Sequence, residues 1–180
     1  MTDKALWYAS RGTGVVLLVL LTVVVLLGVL SRAGRPLPGL PRFATVGLHR
    51  NISLLALAFL TVHILGAVLD PYARTGWLST LVPYTSGYRP LWVGLGAVAL
   101  DLILALTVTS LLRARLGQPA WKAVHWLGYA VWPVALAHSL GSGTDIGQIW
   151  LIALDVGCGG TVLAAMVWRL GAPRPAPVLP

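Results

Sequence analysis

The sequence predicts an all-α integral membrane protein, a bundle of about five transmembrane helices. Three observations carry this prediction. Of 180 residues, 57% are hydrophobic, and the mean hydropathy is +0.83. Only 10% are charged, against about 25% in a soluble domain. The apolar residues also gather into five runs, each near the roughly 20 residues a helix needs to cross the hydrocarbon. Lipid offers no hydrogen bonds to the backbone, so each run reads as a helix.

The runs are about Thr13 to Leu30, Val46 to Leu69, Leu91 to Leu112, Ala120 to Leu140 and Ile146 to Trp168. Pro36, Pro38, Gly39 and Pro41 mark a surface loop after the first run. Asp70-Pro71 stops the second helix, and Arg89-Pro90 opens the third. Arg113 to Pro119 is a short basic turn, and Gly141 to Asp145 a short polar one. Residues 1–170 form one helical membrane domain; 171–180, with four prolines, read as a disordered tail. The first run resembles a signal peptide in place and flanks. It exceeds the usual 7–15 residues of an h-region and lacks a small-residue cleavage site, so it reads as a retained span.

A net charge of +8 raises nucleic acid as a partner. The basic residues lie in the connections between spans, where they set topology instead. Five spans put Arg32, Arg35, Arg42, Arg50, Arg113, Arg115, Lys122, Arg169 and Arg174 on one face. Lys4, Arg11, Arg74 and Arg89 fall on the other. The richer face is expected to be cytoplasmic, with the N-terminus outside and the C-terminus inside a bacterial plasma membrane.

All four histidines lie inside apolar runs. His49 and His63 are 14 apart on the second, and His125 and His138 are 13 apart on the fourth. Ionisable groups at membrane depth are costly and mark functional sites. The two helices run the same way, so depth pairs His49 with His125 and His63 with His138. The two pairs lie roughly 20 Å apart along the bundle. Two imidazoles per site fall short of the three or four ligands of a zinc site. Iron already held by four porphyrin nitrogens needs only two axial ligands. The donor set therefore points to two haem b groups between the second and fourth spans. With one cysteine, Cys158, there is no Cys-x-x-Cys-His for covalent attachment, nor the thiolates of an iron–sulfur cluster. Small residues Gly47, Gly66, Ala67, Gly128, Ala135 and Ala137 give the rings room. On an ideal helix His49 and His63 share a face, whereas His138 stands about 140° from His125. A kink at Pro133 is expected to absorb this difference.

Paired histidines at these spacings, two helices apart, resemble the ferric-reductase-like transmembrane domain superfamily. That superfamily includes ferric reductases, NADPH oxidases and the haem-binding membrane subunit of the bacterial methionine sulfoxide reductase system. The resemblance implies a helical core binding b-type haem through His49, His63, His125 and His138, and an oxidoreductase role in electron transfer. The sequence departs from the pattern in two ways. It has about five spans rather than about six, and no Gly-x-Gly-x-x-Gly of a flavin or nicotinamide domain. A separate flavoprotein or quinol donor and an external acceptor are therefore expected.

Arg50 and Lys122 are candidates to neutralise the propionates of the inner haem, and Arg74 and Arg89 those of the outer one. Ordinary positive-inside charge is the slightly favoured reading of Arg50 and Lys122. Asp101 and Asp155 lie within spans as candidate proton relays or structural hydrogen bonders, Asp101 the deeper. Phe59, Trp126, Tyr129 and Trp132 are candidates to line the haem gap. The competing reading is a non-redox transporter or scaffold that uses the histidines for metal or proton movement.

Overall fold

The computed structural model describes residues 2–32, 39–71, 75–143, 145 and 147–171, with backbone alone at 2–4 and 32. Every regular element among them is helical. They are α1 (Thr2–Arg32), α2 (Arg42–Leu69), α3 (Leu78–Leu81), α4 (Pro90–Leu111), α5 (Arg113–Leu116), α6 (Gln118–His125), α7 (Gly128–Ser142) and α8 (Ile149–Gly171). The tail after Gly171 and most of the first loop lie outside the described residues.

Four helices, α1, α2, α4 and α8, are long and apolar enough to cross a membrane. The chain is thus an all-helical integral membrane bundle. The fourth expected span is not one helix but two, α6 and α7, joined through Trp126 and Leu127. The junction stays helical in hand, with φ and ψ of −62° and −27° at Trp126 and −61° and −19° at Leu127. It is tightened by bonds from the amides of Leu127, Tyr129 and Ala130 to carbonyls three residues back, at 2.9, 3.1 and 2.8 Å. Pro133 does not mark the break: it lies inside α7, six residues past Leu127, and the carbonyl its missing N–H leaves free belongs to Tyr129, already within that helix. Each residue wound at three per turn adds about 20° over the α-helix. The tight turn therefore brings His138 part of the way back to the face of His125.

The central helix is α1, which packs against α2, α7 and α8; α4 packs against α7 and α3. A buried bond from Trp132 Nε1 to Thr22 Oγ1, 2.9 Å, ties α7 to α1 at mid-depth. The same hydroxyl donates to Leu18 O at 2.9 Å. One end of the bundle is laced by charge. Arg11 of α1 pairs with Asp145 of the α7–α8 loop at 2.6 Å. Arg89 sits at a left-handed φ of 40° ahead of Pro90. Its Nη1 donates to Gly141 O at 2.6 Å and Gly143 O at 2.9 Å, which holds that backbone in place.

Thr22→Val keeps the shape and removes the acceptor of the Trp132 indole. Interhelical hydrogen bonds in membranes average about 0.6 kcal/mol and reach about 1–2 kcal/mol. We expect a loss near the upper figure, because a buried donor is left without a partner. Reversible unfolding in mixed detergent micelles measures it.

Candidate metal centres at two opposed histidine pairs

Helix α2 presents His49 and His63, and the α6–α7 segment presents His125 and His138. The ring centres of His49 and His125 are 6.3 Å apart with planes at 69°. Those of His63 and His138 are 6.1 Å apart at 89°. An imidazole nitrogen binds a metal at about 2.0–2.1 Å, which puts its ring centre about 3 Å from the ion. Two imidazoles opposed across one ion thus have centres about 6 Å apart. Both pairs stand at that separation.

Three of the four rings are fixed through Nδ1. His63 Nδ1 lies 2.7 Å from Ser10 O, His49 Nδ1 3.0 Å from Val24 O, and His138 Nδ1 2.8 Å from Trp92 O. A carbonyl only accepts, so Nδ1 carries the proton and Nε2 keeps its lone pair. A ligating histidine is oriented in this way by its outer partner. His125 differs: its ring stacks on Trp121 at 4.8 Å, and its buried Nδ1 has no hydrogen-bond partner among the described residues.

Glycines let the neighbouring helices approach these rings. A Cβ on Gly14 would lie 2.9 Å from His63 Cε1, and one on Gly96 would lie 2.6 Å from His138 Cε1. One on Gly28 would rest at 3.5 Å from His49 Cε1, an ordinary contact. Sequence reasoning missed these glycines. The signal was present: Gly14 and Gly28 of α1 are spaced by 14, as are His49 and His63 of antiparallel α2.

Two voids border both His63 and His138. One is lined at depth by Val15, Leu17, Leu18 and Leu21. The other, about 120 Å³, is lined toward the charged end by Ser10, Asp70, Thr75 and Tyr88. Among the described residues no three His, Cys, Asp or Glu side chains converge to hold a bare metal ion. The two-ligand sites fit iron that already carries its equatorial ligands.

The remaining candidates are placed as follows. Arg50 and Lys122 are exposed. Arg74 lies outside the described residues, and Arg89 is engaged with the two glycine carbonyls. Near the inner pair, Arg169 Nη1 donates to Tyr129 Oη at 2.5 Å, and its guanidinium lies 5.4 Å from the Trp126 and Tyr129 ring centres. Trp132 is buried but spends its indole N–H on Thr22, and Phe59 is half-buried. The order of the two aspartates is reversed. Asp101 is exposed on α4, while Asp155 of α8 is buried beside Ser139, with Oδ1 lacking a hydrogen-bond partner among the described residues. The helical face, not depth along the chain, decides which one enters the bundle.

Comparison with protein families matches residues 13–136, about two thirds of the chain, to the ferric reductase like transmembrane component. The chain belongs to this family. The matched stretch contains His49, His63 and His125 and stops two residues before His138. Membership gives this ferric-reductase-like component its broad role, membrane electron transfer. Comparison with curated proteins and with solved structures finds no match.

Gly14→Ala and Gly96→Ala are expected to displace His63 and His138 from their carbonyl partners, at a cost of about 1–3 kcal/mol each. Gly28→Ala is expected to leave His49 in place. Nitrogen-15 NMR of labelled histidines, reading the Nδ1–H signals one by one, distinguishes the three variants.

Proposed function

We propose that this ferric-reductase-like component is a dihaem b-type protein that relays electrons across the bilayer. His49 and His125 would hold the iron of one haem, and His63 and His138 that of the other. The observation that carries this reading is the pair of imidazole separations, 6.3 and 6.1 Å, with Nδ1 of three rings held by backbone carbonyls. When bound, haem supplies a one-electron carrier that the side chains themselves lack.

The protein's part is ligation, spacing and exclusion of water. Ser10, Val24 and Trp92 present carbonyls that aim the Nε2 lone pairs of His63, His49 and His138 into the gaps. Gly14 and Gly96 let α1 and α4 close on the outer pair. Leu17 and Leu18 are buried and keep the deep wall apolar. The 14 residues between His49 and His63 space the sites by roughly 20 Å.

Counting basic residues by face supports a cytoplasmic inner site, with the N-terminus outside. The donor is then a separate flavoprotein or quinol at the cytoplasmic face, and the acceptor is external.

A reduced-minus-oxidised spectrum of protein expressed with ample haem should give a b-type signal, and a pyridine haemochrome assay two haems per chain. No b-type signal overturns the reading. His63→Ala or His138→Ala should each remove about half the haem; retention of both haems in either variant refutes the pairing.

The inner site is expected to release haem first. Among the described residues His125 has no outer partner, and loss of such a partner typically costs about 10–100-fold in affinity. Stripping by apomyoglobin, with the inner site identified through His49→Ala, measures the order.

A further inference from the structure

One charged side chain reaches the outer site from a helix that supplies no histidine. Arg11 lines both voids beside the His63–His138 axis. Its side chain is 18% exposed, largely removed from water. Nε donates to Asp145 Oδ1 at 2.6 Å, and Nη2 stands 2.6 Å from the same oxygen. Nη2 is buried and makes no hydrogen bond among the described residues. A guanidinium carries five N–H donors in a planar fork. One carboxylate oxygen cannot satisfy them, and a buried donor left unmade is costly.

The surroundings say what would complete it. Arg11 lies three residues before Gly14, hence on the same side of α1 and one turn nearer the charged end. Gly14 faces His63. The pocket is apolar at depth, at Val15, Leu17, Leu18 and Leu21, and polar at its outer end, at Ser10, Thr75, Tyr88 and Ser142. An amphipathic ligand enters such a pocket with its flat apolar body between the histidines and its acidic end outward. Arg89, the other basic residue described near this end, already spends Nη1 on Gly141 and Gly143. Asp70 also lines the outer void.

We propose that Arg11 is the carboxylate-binding residue of the outer site. It takes a propionate of the porphyrin held between His63 and His138, while Asp145 holds the guanidinium in position. The proposal rests on the dihaem reading above and adds to it the residue that fixes the ring's orientation. It assigns this task to a residue of α1 rather than to Arg74 or Arg89.

The experiment uses the full chain, stripped of haem and reloaded with either haem or its dimethyl ester, in which both propionates are blocked. Loss of signal in His63→Ala identifies the outer site. The wild-type outer site should prefer haem over the ester by about tenfold or more, the worth of one charged hydrogen bond. Arg11→Gln should abolish that preference at the outer site and leave the inner site's unchanged. Arg11→Lys should restore part of it.

Midpoint potentials supply a second readout that does not depend on reloading. Arg11→Gln should shift the outer reduced-to-oxidised ratio about tenfold toward the oxidised form, equivalent to about 59 mV for one electron. Asp145→Asn should shift it the opposite way. If the pair merely ties α1 to the α7–α8 loop, both variants lose stability together and the preference for haem over ester survives. That result overturns the proposal. Absence of haem from the wild type overturns the dihaem reading instead.

Discussion

An imidazole in a membrane interior has two nitrogens to satisfy and no water to do it. Here the solution is the same at three sites: the Nδ1 proton goes to a main-chain carbonyl of a neighbouring helix. A helical carbonyl already accepts from its own chain but keeps a second lone pair. Reaching it requires the two backbones to come close, and Gly14, Gly28 and Gly96 stand where they do. Hydrogen bonding, helix register and the positions of these glycines are therefore one constraint. It fixes α2 against α1 and α7 against α4, and it leaves Nε2 of His49, His63 and His138 without the proton.

This constraint divides the molecule into two ends of different character. The outer pair is braced on both rings, and a lacework of Arg11, Asp145 and Arg89 closes the bundle over it. The inner pair is braced on His49 alone, and His125 ends a short helix just before the tightened turn. Its ring leans on Trp121 instead of on a carbonyl. The asymmetry follows from the tightened turn at Trp126–Leu127, which helps bring His138 round and leaves His125 at a helix end.

Much of this was legible in the residues. Low charge and five apolar runs determined a helical membrane protein, because lipid admits no other backbone solution for single segments of this length. The matching intervals in the histidines, 14 and 13 residues, determined which depths could meet. The fourth run was the exception. Its composition reads as one span, but the helix breaks at Trp126–Leu127, ahead of Pro133, which α7 carries without interruption. Asp101 and Asp155 illustrate the same limit. Both lie within spans, and only the packing of α4 and α8 decides that one is exposed and the other buried.

The sequence by itself determined the bundle, the family resemblance and the four histidines, since each rests on composition or spacing along one helix. The tertiary structure alone decided which carbonyl holds each ring, that α1 backs the α2 histidines with glycines, and that Arg11 enters the outer pocket. Those facts depend on how one helix is rotated and shifted against another. That rotation is set by close contacts between residues far apart in the chain, which spacing along a single helix does not contain.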